Sequence, residues 1–179
     1  KQQASWAKSN LHLKVAINIS AQDIAHADFI DFLFQKIDRY QVDPNLITLE
    51  LTERDIMTNE DLVVSRLNQL KRLGIQISVD DYGIGQSSLG KLKQLPIDEL
   101  KIDKTFILEL DQSEKDQQIV SSTIELSHKL GLTVVAEGVE NEASLNMLRE
   151  MNCDHIQGYF LSRPVKSDVL IEWLGAYDA

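Results

Sequence analysis

Cysteine is almost missing from this chain, whose 179 residues include only Cys153. One thiol closes no internal bridge, which excludes a disulfide-stapled secreted scaffold and sets the expectation of a cytoplasmic protein. Proline is scarce, with 3 residues, and glycine contributes 8, so the chain is neither collagen-like nor a low-complexity linker. No apolar run reaches the ~18 residues that cross a bilayer, and the opening residues lack the apolar stretch of a signal peptide. No membrane contact by this segment is expected. Positive charge is short as well, with 18 Lys and Arg against 28 Asp and Glu, a net charge of −10. That sign does not suit a DNA or RNA polymer, and a phosphate-bearing ligand would need metal ions to reconcile the charges.

What is present reads as one globular unit, 43% hydrophobic and 26% charged. Short β-rich runs at Leu13–Ile19, Leu46–Leu51, Ile75–Val79, Glu99–Ile102, Leu132–Ala136 and His155–Gln157 predict six strands. Amphipathic stretches at Asp28–Tyr40, Asn59–Leu73, Ser87–Leu95, Glu114–Leu130, Glu142–Met151 and Ser167–Tyr177 predict helices between and after them. Two helices end on the same signal, Lys71-Arg72-Leu73-Gly74 and His128-Lys129-Leu130-Gly131, where glycine can take the left-handed position that stops a helix. Strand and helix in regular alternation imply a parallel sheet with helices outside, doubly wound or closed into a barrel.

Side-chain alternation then sorts the strand residues by face. In the second strand Ile47, Leu49 and Leu51 share one parity and face the helices, which leaves Glu50 on the inner face near the C-terminal end. The same test places Asn18, Asp80, Lys101, Glu137 and Gln157 inside, one polar residue for each strand. A packed barrel interior takes branched apolar side chains, so such residues are costly there unless they bind something.

Asp80-Asp81, followed by Tyr82-Gly83-Ile84-Gly85, sets two carboxylates where a strand is expected to end and a turn to begin. Alone, the pair reads as a turn residue and a solvated neighbour; with inward Glu50 and Glu137 it reads as a metal site, because adjacent carboxylates repel unless a cation or a shared proton joins them. Four carboxylates and an amide suit Mg²⁺ or Mn²⁺. Zinc is not supported, since His12, His26, His128 and His155 have no HxxxH spacing. Lys101 reads as a phosphate- or water-binding charge, as a Schiff-base nucleophile, or as a surface lysine beside Asp98, Asp103 or Lys104; acidic neighbours would keep it protonated and argue against the nucleophile. The Gly83-Ile84-Gly85 turn is not a dinucleotide fingerprint, and Ser87 and Ser88 read as helix caps. Glu140 reads either as a site residue or as the cap of a helix beginning at Asn141.

Taken together, Asn18-Ile19-Ser20, Glu50-Leu51-Thr52-Glu53, Asp80-Asp81-Tyr82-Gly83-Ile84-Gly85, Leu100-Lys101-Ile102-Asp103, Ala136-Glu137-Gly138-Val139-Glu140 and Gln157-Gly158-Tyr159 resemble the EAL-type cyclic di-GMP phosphodiesterase family from Val15 to Pro164. The resemblance implies a TIM-type (β/α) barrel that uses two Mg²⁺ or Mn²⁺ ions to hydrolyse cyclic di-GMP to the linear dinucleotide pGpG. On that likeness Asn18, Glu50, Asp80, Asp81 and Glu137 are metal ligands, with Asp80 between the two ions. Lys101 and Glu137 are catalytic, Lys101 at the attacking water or phosphate and Glu137 also viewed as a base. Glu53 steadies the loop that carries Gly83 and Gly85, and Glu140 and Gln157 surround the site. The family couples that loop to metal occupancy and to dimerisation, so a homodimer is expected.

Two departures qualify the likeness. The Glu-Ala-Leu segment itself is absent, and six strands fall two short of a barrel of about 250 residues. The expectation is therefore that residues 1–179 are the C-terminal portion of a single domain, with strands and any sensory or cyclase domains upstream, and that the isolated piece is inactive. The loop, DDFGTGYSSL in the family, carries Ile84 and Gln86 here in place of a hydroxyl and an aromatic. That change keeps open an alternative, a catalytically degenerate cyclic di-GMP receptor or scaffold. A metal-free Schiff-base enzyme at Lys101 is a third reading.

Overall fold

The computed structural model describes residues 1–57, 60–83 and 92–177. Six strands form one sheet in chain order: β1 (Val15–Asn18), β2 (Ile47–Thr52), β3 (Gln76–Tyr82), β4 (Glu99–Ile102), β5 (Thr133–Glu137) and β6 (His155–Gln157). Every neighbouring pair is parallel, giving a half-barrel backed by helices.

Among the described residues the α-helices are α1 (Gln2–Lys8), α2 (Ala21–Ala25), α3 (Phe29–Tyr40), α4 (Glu53–Met57), α5 (Glu60–Arg72), α6 (Glu114–Lys129), α7 (Glu142–Glu150) and α8 (Ser167–Tyr177). The short α1, α2 and α4 were not expected; pieces of five to seven residues span too few turns to show a period. The first five residues of the predicted Ser87–Leu95 helix, with both serine caps, lie outside the described residues.

Local chemistry fixes the ends of these elements. Ser113 accepts from the Asp116 amide to cap α6, whose Val120, Ile124 and Ser127 are buried at helical spacing. The anticipated helix stops hold: Gly74 and Gly131 sit at φ +89 and +78, and the amides of Ile75 and Leu132 reach back to the carbonyls of Leu70 and Ser127. Glu140, however, is not the cap of α7. Asn141 takes that role, its side chain accepting from the Ser144 amide at 2.7 Å, and the helix starts at Glu142, as the periodicity predicts, rather than at Asn141 as the cap reading required.

Strand alternation divides the sheet into two chemically distinct faces. Leu49, Leu51, Ile77, Val79, Leu100, Ile102, Val134 and Ala136 face the helices and are each 1% exposed or less. They join Val63, Leu67 and Leu70 of α5, Val120 and Ile124 of α6 and Leu145 and Leu148 of α7 in one core. On the inner face the register aligns Asn18 with Glu50, Glu50 with Ser78, and Glu137 with Gln157.

A carboxylate cluster at the C-terminal ends of the strands

The site begins with an irregularity in β3. Val79 pairs with Leu100 and Tyr82 with Ile102, so three steps along β3 match two along β4, and Asp80 and Asp81 together stand opposite Lys101. This is a β-bulge. Strict alternation would send the two aspartates to opposite faces; the bulge, with Asp81 in the left-handed region at φ +55, keeps them together. The Asp81 amide donates to Asp80 Oδ1 at 3.0 Å. The strand therefore runs through both aspartates rather than ending before them, a correction to the predicted Ile75–Val79 boundary.

Ligand oxygens of Asp80, Asp81 and Glu137 all lie within 4.8 Å of one another. Lys101, 4% exposed, places its Nζ 2.7 Å from Glu137 Oε1, 3.0 Å from Glu50 Oε1 and 3.2 Å from Asp80 Oδ1. This rejects the surface-lysine reading, since the ammonium is clamped inside by acids from β2, β3 and β5. Asp98, one of the neighbours considered, bonds Lys71 instead. Burial alone would push the Lys101 ammonium down, but hydrogen bonds to Glu137 and Glu50 and their charges outweigh it and hold it well above its ordinary value. That works against a neutral amine for Schiff-base chemistry. Burial raises Glu137, and the charges of Asp80 and Glu50 reinforce the rise against the pull of Lys101.

Asp81 is also raised, first by burial and then by the charges of Asp80 and Asp103, and it shares a hydrogen bond with Asp103. For Asp103 burial works upward, but bonds from Thr105 prevail and hold it low. Sequence reading had treated Asp103 only as a possible neighbour of Lys101; its pairing depends on the bulge, which leaves no mark in composition. The Ser78 hydroxyl, fully buried on the same face, has no hydrogen-bond partner among the described residues.

The remaining candidates are distributed around this centre. Asn18 is exposed at the end of β1, beside Glu50 in register. Glu53 is 6% exposed at the start of α4, and its charge adds to burial in raising the Tyr82 hydroxyl. Gly83 has φ +103, and a Cβ there would meet the Phe106 ring at 2.9 Å. Gly85, Ile84 and Gln86 lie outside the described residues. Glu140 and Gln157 line a cavity of about 540 Å³ that opens on Glu137. Sequence reading missed Arg163, which also lines the cavity and whose guanidinium lies over the Tyr159 ring at 4.7 Å.

Oxygen donors only, three of them carboxylates close enough to share one ion, fit a hard divalent cation. Fold and site thus define a parallel α/β half-barrel with a metal-type acidic centre at the C-terminal ends of its strands. The EAL domain family model matches residues 1–164, and the chain belongs to that family.

The chain is 44% identical over 165 residues to the signaling protein YkoW of Bacillus subtilis and 39% identical over 165 residues to the cyclic di-GMP phosphodiesterase NbdA of Pseudomonas aeruginosa. Each match covers 92% of this chain and 21% of the relative, so the chain spans about a fifth of these proteins' length. Among solved structures it superposes on the PaMucR phosphodiesterase in complex with c-di-GMP with a TM-score of 0.89 at 39% identity, covering 94% of this chain and 69% of that one. It also matches Klebsiella pneumoniae BlrP1 in its manganese and cyclic di-GMP complex, with a TM-score of 0.82 at 29% identity, covering 91% and 42%. Among the described residues no helix is long and apolar enough to cross a membrane.

Proposed function

We propose that this chain is the C-terminal part of a domain that hydrolyses cyclic di-GMP to the linear dinucleotide pGpG with Mg²⁺ or Mn²⁺. The observation that carries the reading is the convergence of Asp80, Asp81 and Glu137 within 4.8 Å, beside a cavity bounded by Glu137 itself. The printed descriptions of NbdA and of the PaMucR and BlrP1 complexes support the choice of substrate.

In this reading Asp80, Asp81 and Glu137 hold two cations, with Glu50 and Asn18 completing the donor set. Held there, such ions would supply Lewis acidity, which lowers the pKa of an attacking water and offsets the charge that grows on the phosphoryl oxygens. Glu137, which borders the cavity, would be placed to accept a proton from that water. Lys101 offers a fixed positive charge to the phosphate. The Tyr159–Arg163 stack gives the cavity a flat wall against which a purine can lie.

The domain works in the cytoplasm, a placement supported by the unbridged Cys153, whose half-buried thiol is pushed up to about 11 by burial and is correspondingly unreactive. Homodimerisation is part of the reading. It is supported by exposed Phe32 and Phe34 on α3 and is checked by light scattering of the longer protein.

The deciding experiment is turnover of cyclic di-GMP by the protein extended upstream through its first strands. We expect pGpG with Mn²⁺ or Mg²⁺ and none in excess EDTA. Turnover that persists in EDTA overturns the metal reading; binding without turnover in either metal selects the degenerate receptor.

A further inference from the structure

Lys101 and the proposed metal ions make claims on the same carboxylates, those of Asp80 and Glu137. The Nζ contacts Asp80 Oδ1 and Glu137 Oε1, both from residues of the triad that converges within 4.8 Å, and reaches Glu50 as a third partner. Its side chain is 5% exposed, so it cannot swing into water without leaving three carboxylates partly buried and uncompensated. One positive charge faces three negative ones, which leaves the cluster short of neutrality and still attractive to a divalent ion.

We infer that Lys101 is an internal counter-cation of the cluster: it holds Glu50, Asp80 and Glu137 together and competes with metal for them, so that metal loading transfers its ammonium from the carboxylates to the substrate phosphate. The inference rests on the reading of the cluster as a metal site. It gives Lys101 two successive duties, the first structural and the second toward substrate. It also sets an order, because the ammonium becomes available to phosphate only after a metal has taken over its partners. An opposite design, with an uncharged residue at 101, would leave the acids repelling one another inside a low-dielectric pocket.

The test compares the wild-type protein with Lys101→Met and Lys101→Arg, the methionine keeping the length of the stem without its charge. Mn²⁺ affinity is read by calorimetry, and thermal melting is followed in EDTA and in Mn²⁺. Lys101→Met is expected to bind Mn²⁺ at least tenfold more tightly than wild type, to melt lower in EDTA and to gain more from added Mn²⁺; Lys101→Arg stays near wild type in all three. Equal or weaker Mn²⁺ binding by Lys101→Met, with wild type binding normally, overturns the counter-cation and leaves the metal site standing. No Mn²⁺ binding by any of the three overturns the metal site itself. Should Lys101→Met fail to fold, the decision passes to the ¹⁵N-labelled ammonium resonance of Lys101 in the wild-type protein, assigned by its loss in Lys101→Arg. A shift on saturation with Mg²⁺ sustains the exchange, and an unmoved resonance overturns it.

Discussion

At the N-terminal ends of the strands two acidic residues, Asp98 and Asp154, are matched by donors; at the C-terminal ends three, Glu50, Asp80 and Glu137, share one ammonium. Asp98, just before β4, accepts from the Ile77 amide of β3 at 3.0 Å and from Lys71 of α5 at 2.6 Å. Asp154, just before β6, repeats the arrangement two units later, bonding the Val134 amide of β5 and His128 of α6, both at 2.8 Å. Each ties the last turn of one helix to the strand that follows it and to the start of the next strand. At the other end Glu50, Asp80 and Glu137 crowd around one ammonium, and Asp81 leans on Asp103. The same side-chain chemistry braces the fold where its hydrogen-bonding capacity is filled and is free for ligands where it is not.

Removing one acid from each end tests this division. Glu137→Ala in the upstream-extended protein should lower turnover by at least about a hundredfold, while its melting temperature in EDTA stays within a few degrees of wild type. A variant that melts far lower would make Glu137 a brace as well. Asp98→Ala should do the reverse, costing about 2 kcal/mol of stability through the lost amide and lysine bonds while Mn²⁺ affinity is unchanged. Equal losses in both properties would erase the distinction between the two ends.

The smallest expected effect, about 1 kcal/mol, belongs to Asp154→Asn, and pH sharpens it. Burial pushes the Asp154 carboxyl up, but its bonds to His128 and Val134 more than reverse this and hold it below the usual carboxylate value. A depressed folded-state pKa contributes stability that is present above the unfolded-state value and is lost as pH falls through the folded-state value. Denaturant unfolding should therefore separate wild type from Asp154→Asn near neutrality, with the gap closing in acid. A gap that stays open after the Asp154 carboxyl has been protonated would refute the brace.

Most of the layout was legible in the sequence because alternation is a local signal. Glu50 falls between Leu49 and Leu51, Lys101 between Leu100 and Ile102, and the helices cover the apolar parity as that pattern requires. What escaped reading depends on register or on distant segments. The bulge that brings Asp81 beside Asp80 is a mismatch between two strands, visible only when β3 is laid against β4. The partners of Lys101 come from β2, β3 and β5, so its nearest sequence neighbours, Asp98 and Asp103, gave the right charge environment for the wrong reason. Arg163 reaches Tyr159 across a turn with no periodic signature.

The extra residue in β3 exposes the site to a kind of change that substitution does not produce. Dropping one codon at position 80 or 81 would let Val79–Tyr82 and Leu100–Ile102 run in step, removing an irregularity from the ladder together with half of the aspartate pair. The sheet, the outer core and both bracing aspartates would remain. On the proposed function, one such event would remove the chemistry while leaving a folded scaffold, so a length difference at this point in a related chain is expected to accompany lost turnover.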